Sequence, residues 1–282
     1  MLTGLKEILS LAEQDRCAVG MFNATGLDSL QAVIGAAEEL NRPVIIAHAE
    51  VHNVYNELSL VGPAMLAAAQ RAKVPVCVHL DHGVSLNMVY RALRLGFTGI
   101  MIDASALPYE ENLRITQEVT EIAHAMGVDV EAELGRLAIS EDGRGEAGAD
   151  ASEFYTRPDE AERFVAQTGV DALAVSFGTS HGFYKAQPKL DFGCVRACAS
   201  AARVPLVMHG GSGVNREGFR NAISAGIRKI NYYSYMSKAG YEAVAQAVAA
   251  GKTKYLHDLE YTAMQAMKED VKKAIRMFSM QD

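Results

Sequence analysis

Eight short runs of apolar, largely β-branched residues, separated by stretches with helical spacing, predict an α/β fold: a single (β/α)8 TIM barrel with extra C-terminal helices. Two further observations support it. Gly96, Gly127, Gly169 and Gly226 each stand just past a periodic stretch and shortly before the next apolar run, where a left-handed residue ends a helix cheaply. The first strand also runs into Ala24-Thr25-Gly26-Leu27 rather than into the GxGxxG of an open dinucleotide-binding sheet.

The strands are expected at 17–23, 43–47, 74–81, 98–103, 128–133, 171–176, 204–209 and 227–231. Each is nearly continuously apolar, which is how a strand reads when helices cover one face and a barrel interior the other. Helical periodicity is clearest over 27–40, 86–95, 110–126 and 216–225. The runs 74–79 and 204–209 echo each other as Val-Pro followed by apolar residues and a histidine, which suggests that strands three and seven reach one depth. Residues 253–280 read as a helical extension packed outside the barrel or on a neighbouring subunit. No linker or low-complexity stretch interrupts the chain, so residues 1–282 are expected to form one domain.

The chain has 282 residues, 49% of them hydrophobic, and a net charge of −7, which excludes a disordered chain and disfavours a nucleic-acid partner. A small molecule is the expected partner. No apolar run reaches the roughly 18–20 residues of a membrane helix, and residues 1–16 form an amphipathic pattern carrying acids rather than a signal peptide. A cytoplasmic protein is expected. The four cysteines make no disulfide framework, and Cys194 and Cys198 lack a second pair for a metal, so they are read as reduced packing residues.

In such a barrel the chemistry gathers at the C-terminal ends of the strands. Nearly every predicted strand delivers a polar residue there: His79-Leu80-Asp81-His82, Asp103, Glu131-Ala132-Glu133, Ser180-His181, His209 and Asn231. Period-two alternation puts Asp129, Glu131 and Glu133 on one face, where an unpaired carboxylate costs several kcal/mol and must meet water or a cation. Of the eight histidines, His124 falls within a helix and His257 in the tail. His82, His181 and His209 follow three different strands, and three neutral imidazoles plus one open place are what a catalytic zinc takes. Ligands from separate strands leave no local spacing signature. A metal site and interior ion pairs therefore both remain open, with His79 as eligible as His82.

Gly182 and the run Gly210-Gly211-Ser212-Gly213 precede helices and expose backbone N–H groups of the kind that hold phosphate, a tight glycine turn being the alternative.

Taken together, His79-Leu80-Asp81-His82-Gly83, Met101-Ile102-Asp103-Ala104-Ser105, Val130-Glu131-Ala132-Glu133-Leu134-Gly135, Gly178-Thr179-Ser180-His181-Gly182, His209-Gly210-Gly211-Ser212-Gly213 and Lys229-Ile230-Asn231 resemble a known family. In order and spacing they are similar to the class II zinc-dependent ketose-bisphosphate aldolases, nearest to the tagatose-bisphosphate and fructose-bisphosphate type. The resemblance implies one Zn²⁺ per subunit on His82, His181 and His209, with Glu133 as a nearby acid that can approach it. It implies Asp81 as the acid/base at the alcohol oxygen of the cleaved bond. Glu141, in the loop 139–149, is implied as the group exchanging the proton at the carbanion carbon. Asn23, Gly182, Gly210, Gly211, Ser212, Asn231 and Ser234 fall where the family holds the phosphate and hydroxyls of the ketone fragment, often with Na⁺ or K⁺.

The activity so implied is reversible cleavage of a phosphorylated ketose to dihydroxyacetone phosphate and an aldehyde, through a metal-stabilised enediolate and without a lysine Schiff base. A zinc-dependent sugar-phosphate isomerase or epimerase, and a non-catalytic sugar-phosphate-binding subunit, are the alternatives. A homodimer or homotetramer is expected.

The chain departs from the family pattern in four places. Ala47-His48-Ala49-Glu50-Val51-His52 stands where a serine or threonine usually lies near the ketone oxygen, which makes His48 and His52 either substrate contacts or loop residues. Asp103 and Tyr233 are further candidates. Asn231-Tyr232-Tyr233-Ser234-Tyr235 replaces the usual acid with tyrosine, and Ala138-Ile139 stands where two glycines are common. Lys252-Thr253-Lys254 replaces Asp-Pro-Arg. The arginine often assigned to the second phosphate then has no counterpart, so that phosphate is absent or held by lysine.

Overall fold

Strands β1 (Val19–Asn23), β2 (Val44–Ala49), β3 (Val76–Gly83), β4 (Gly99–Ile102), β5 (Asp129–Leu134), β6 (Ala172–Val175), β7 (Leu206–Met208) and β8 (Ile227–Asn231) pair in chain order, all parallel. β8 returns to β1 and closes the barrel. The computed structural model describes residues 1–135, 154–184, 187–251 and 253–281.

The helix after each strand is, in order, α2 (Leu27–Leu40), α3 (Leu58–Arg71), α4 (Leu86–Leu95), α5 (Tyr109–Ala125), α6 (Pro158–Thr168), α7 (Phe192–Ala202), α8 (Arg216–Ala225) and α9 (Ser234–Ala249). A short 3-10 turn, Glu50–Val54, lies between β2 and α3. Gly96 and Gly169 close their helices in the left-handed conformation, as their position in the sequence required.

Alternation sorts the strand residues into two cores. Outward-facing Ile46, Val78, Leu80, Ile100, Val130 and Leu173 pack beneath the helices. Inward-facing Met21, Ile45, Ala47, Cys77, Ala174 and Val207 fill the lower barrel together with Leu5, Ile8, Leu9 and Ala12 of α1 (Leu5–Gln14). The amphipathic N-terminal segment is thus a plug across the end of the barrel opposite the active-site mouth. Asp129, at the start of β5, accepts the backbone N–H of Lys6 in the first turn of α1 at 2.8 Å. Asp171, ahead of β6, meets Lys6 Nζ at 3.1 Å.

The tail forms α10 (Leu256–Phe278) and packs on the outside of its own barrel, against α2 and α9. Its last residue, Phe278, seats its ring among Phe22, Phe219 and Tyr232. The Tyr232 hydroxyl donates to Asp270 of α10 at 3.0 Å. One of the unusual tyrosines after β8 therefore serves the tail helix. Among the described residues no helix is long and apolar enough to cross a membrane.

If α1 is a structural plug, Leu9→Ala should cost about 2–5 kcal/mol in urea unfolding, as a buried leucine truncation does. A loss below about 1 kcal/mol would show that the plug contributes little.

Candidate active site

Two consecutive residues at the end of β3 build the centre of the mouth. Strand alternation would send Asp81 and His82 to opposite faces. The β3–β4 register slips between Leu80 and Gly83, and His82 takes a left-handed φ of 41°. This bulge turns both side chains into the barrel mouth, at a strain of about 1–3 kcal/mol for such a backbone.

His82 Nδ1 lies 2.6 Å from Asp103 Oδ2, at the end of β4, so Nδ1 carries the donated proton and Nε2 faces inwards. Ser105 clamps the other Asp103 oxygen through its N–H and hydroxyl. His209, just past β7, is arranged the same way. Its Nε2 lies 2.9 Å from Glu131 Oε1, and its Nδ1 is 2.8 Å from His82 Nε2 and 3.4 Å from Glu133 Oε2. Two ring nitrogens whose partner nitrogens face carboxylates thus turn towards one another, an arrangement that a metal ion, or a proton on one of the two nitrogens, makes favourable.

His181 completes the group. Ring nitrogens of His82, His181 and His209 all lie within 4.8 Å of one another, close enough to hold one metal ion, and a second set, His82, Asp103 and Glu133, meets the same limit. His181 Nδ1 and Glu133 Oε2 are buried without a hydrogen-bond partner. Burial pushes the pKa values of His181 and His209 below the ordinary imidazole value, which keeps them neutral as a metal requires. Burial, reinforced by Asp103, pushes the Glu133 pKa well up. The donor set fits a divalent ion such as zinc, with carboxylates orienting two of the imidazoles from behind.

One layer down, at the height set by a two-residue step along each strand, lie His79, Glu131 and Lys229, all fully buried. Lys229 Nζ is 2.8 Å from Glu131 Oε2 and 2.8 Å from Asn231 Oδ1. His79 Nε2 is 3.6 Å from Glu131 Oε2. Burial works to raise the Glu131 pKa, but Lys229 and His209 outweigh it and hold it down at about 2. Asp81 is bracketed by two amides: Asn23 Nδ2 donates to Oδ2 at 2.8 Å and Asn231 Nδ2 to Oδ1 at 3.1 Å. Burial opposes its ionisation, yet His82, Lys229, His209 and Asn23 together hold it below the usual carboxylate range. It is a carboxylate held in its ionised form beside the three imidazoles.

A cleft of about 620 Å³ opens from this cluster, lined by Asn23, Asp81, His181, Gly182, Gly210, Ser212, Asn231 and Ser234 among others. One wall depends on Gly210. At φ 66° it lies so close to Ser180 that a Cβ would stand 2.3 Å from the Ser180 carbonyl oxygen. Tyr184 pins the same two loops: its hydroxyl accepts from Ser180 N–H and donates to the Gly210 carbonyl, each at 2.8 Å.

The profile of the family described as "Fructose-bisphosphate aldolase class-II" matches residues 3–282. The chain belongs to the class II fructose-bisphosphate aldolase family. It is 40% identical to a fructose-bisphosphate aldolase of Thermus caldophilus, over 99% of this chain and 98% of that protein. A fructose-bisphosphate aldolase of Geobacillus stearothermophilus is also 40% identical, over 90% of this chain and 88% of the relative. The crystal structure of the YdjI aldolase from Escherichia coli K12 superposes with a TM-score of 0.87 at 36% identity, covering 99% of this chain and 97% of that one.

Among the residues singled out from the aldolase sequence, His82, His181, His209, Asp81 and Glu133 come together in the mouth. His79 lies a layer below the histidine cluster, which removes it as the alternative to His82. Asp103 stands behind His82 rather than on the cleft wall. His48 is fully buried and away from the lining, while His52 lines the cleft with its ring 4.7 Å from that of Tyr233. The Gly211 N–H is spent on the Asn231 carbonyl at 3.1 Å, and Ser212 Oγ accepts the Tyr233 N–H at 3.1 Å, leaving its own proton to donate. Glu141, Ala138, Ile139 and Lys252 lie outside the described residues.

The sequence reading left Lys229 and Tyr184 out of the site and gave Glu131 no role of its own. Lysine two residues before Asn231 on one strand was the available signal, since period two puts both on the inward face. Nothing local marks Tyr184, whose partners come from two loops.

His79 and His209 supply a pH test. Burial, with a smaller contribution from Lys229 at His79, holds His79 down at about 3; burial and then His82 hold His209 below the ordinary value. An unfolded histidine titrates near pH 6.5, so below that pH the unfolded chain binds more protons and stability falls, by about 1.4 kcal/mol per pH unit for each such histidine. Metal-free protein should therefore show a urea midpoint that drops between pH 7 and pH 5, because the lowered His48, His52, His79, His181 and His209 outnumber Glu133, whose raised pKa works in the opposite direction. An unchanged midpoint would contradict neutral burial.

Proposed function

We propose that this aldolase reversibly cleaves a phosphorylated ketose into dihydroxyacetone phosphate and an aldehyde, using one Zn²⁺ per subunit held by His82, His181 and His209 with Glu133 in reach. The observation that carries the reading is Asp81. It is an ionised carboxylate fixed by two amides, beside the imidazole cluster and open to the cleft. When bound, the divalent ion supplies Lewis-acid stabilisation of the negative charge that aldol cleavage leaves on the ketone fragment.

The chain's own residues do the rest. Asp81 accepts the proton of the hydroxyl on the carbon that becomes the aldehyde, and returns it in the condensation direction. Asn23 and Asn231 keep its oxygens aimed and ionised. The N–H groups of Gly182 and Gly210, and the Ser212 and Ser234 hydroxyls, offer donors to the phosphate, Gly211 shaping the turn through its bond to Asn231. A monovalent cation, Na⁺ or K⁺, is assigned to the same end. Glu141 is assigned the proton at the carbanion carbon on the family resemblance alone. Residues 1–282 are taken as one catalytic domain, assembled as a homodimer or homotetramer in the cytoplasm.

Asp81→Ala should abolish cleavage in an assay coupled to triose-phosphate release while zinc stoichiometry stays at wild type; normal turnover would refute the assignment. EDTA should abolish wild-type cleavage and zinc restore it. Conversion of the sugar phosphate without fragments would instead indicate an isomerase or epimerase, and binding without conversion a non-catalytic subunit.

We take the aldehyde end of the substrate to be uncharged, because the described residues that line the outer part of the cleft include no lysine or arginine for a second phosphate. Thr25, Val51, His52, Tyr55, Tyr233 and Ser237 line a vestibule of about 910 Å³, and burial lowers the pKa of His52 so that it too is neutral. A ketose 1-phosphate should have a kcat/KM at least equal to that of the corresponding bisphosphate. Brisk cleavage of fructose or tagatose bisphosphate with poorer turnover of every 6-dephosphorylated analogue would count against it.

A further inference from the structure

We propose that Lys229 is a positioning residue for this chemistry, holding the base Asp81 and the imidazole of His209 in their working orientations from one layer beneath them. The inference rests on the aldolase reading above for Asp81, but its link to His209 is readable without turnover. Lys229 is fully buried in the barrel, and its Nζ faces three oxygens within 3.1 Å: Asn231 Oδ1 at 2.8 Å, and Glu131 Oε2 and Oε1 at 2.8 and 3.1 Å. An ammonium has three protons and accepts nothing, so it can only donate here: it hydrogen-bonds Asn231 Oδ1 and Glu131 Oε1, with Glu131 Oε2 as an ion-pair contact.

The consequence for Asp81 comes from the asymmetry of an amide. Asn231 turns Oδ1 to Lys229, which leaves Nδ2 to donate to Asp81 Oδ1 at 3.1 Å. A reversed amide would set its oxygen against a carboxylate and its NH₂ against an ammonium, two repulsive contacts in place of two attractive ones. Lys229 thereby selects the orientation that keeps Asp81 bracketed by donors. The consequence for His209 runs through Glu131, whose Oε1 lies 2.9 Å from His209 Nε2 and keeps the ring proton there, leaving Nδ1 to the mouth. One buried ammonium therefore sets the acid/base side and the ligand side of the site together.

Lys229→Met keeps the stem and removes the charge. At saturating zinc we expect kcat to fall at least about tenfold with KM within about twofold, and zinc affinity, read in competition with a chelating dye, to fall about tenfold, the lower end of what losing a group behind a metal ligand costs. In an Asn231→Ala background the same change should leave kcat within about twofold. In a Glu131→Gln background it should leave zinc affinity unchanged while kcat still falls. Lys229→Met/Glu131→Gln also keeps the proposal testable if the single variant does not fold, because it leaves no unpaired charge in the barrel. Wild-type kcat and zinc affinity in Lys229→Met, or full additivity in both cycles, would overturn the proposal. If wild-type protein releases no triose phosphate, the proposed function fails, whereas the zinc titration still decides the link from Lys229 to His209.

Discussion

An imidazole binds a metal only when one nitrogen offers a lone pair and the other has somewhere to keep its proton. In this barrel the proton acceptors are carboxylates, Asp103 behind His82 and Glu131 behind His209. The interior offers these groups little water, and an uncompensated carboxylate there would cost several kcal/mol. Glu131 is tolerable because Lys229 meets it, and Lys229 because the Glu131 carboxylate and the Asn231 amide oxygen face its charge. The rest of the site is built above this buried pairing.

The backbone supplies what side-chain pairing cannot. A regular β3 would aim either Asp81 or His82 into the mouth, yet both reach it. The bulge at His82 removes that restriction, and its strain is carried by a strand buried along its whole length between β2 and β4. On the opposite wall the loops after β6 and β7 touch backbone to backbone at Gly210 and Ser180, with Tyr184 bonded to both. His181 and the Gly210–Ser212 stretch are thereby held as one unit. The site is preorganised mainly by rigid strand ends, a condition under which a base and a ligand set can be placed to within a fraction of an ångström.

The departures around the cleft are put to different uses. Tyr232 turns outward and bonds the tail helix through Asp270, whereas Tyr233 packs on His52 at the cleft wall. His48, two residues before Glu50 on the same stretch, is sealed in the interior, and burial lowers its pKa to about 4. Glu50 itself accepts from the Val84 and Ser85 N–H groups and the Ser85 hydroxyl, tying the 3-10 turn after β2 to the loop just past His82. Neighbours in sequence thus serve the tail, the scaffold and the cleft.

The sequence alone determined the strands, the helix stops and the list of polar residues at the strand ends, because burial on both faces and left-handed helix termination are local demands that composition reports directly. His82, His181 and His209 were visible as candidates for the same reason, each following a strand end. What only the tertiary structure decided is which of them meet and what stands behind them. The choice between His79 and His82 turned on a bulge that inverts alternation, a property of pairing with β4. Asp103 became a partner of His82, the N-terminal helix a barrel plug, and Lys229 the centre of an ion-pair layer, because each relation joins segments far apart in the chain. A sequence records a residue's chemistry and its spacing along one strand, whereas the height at which different strands meet is set by barrel closure and register.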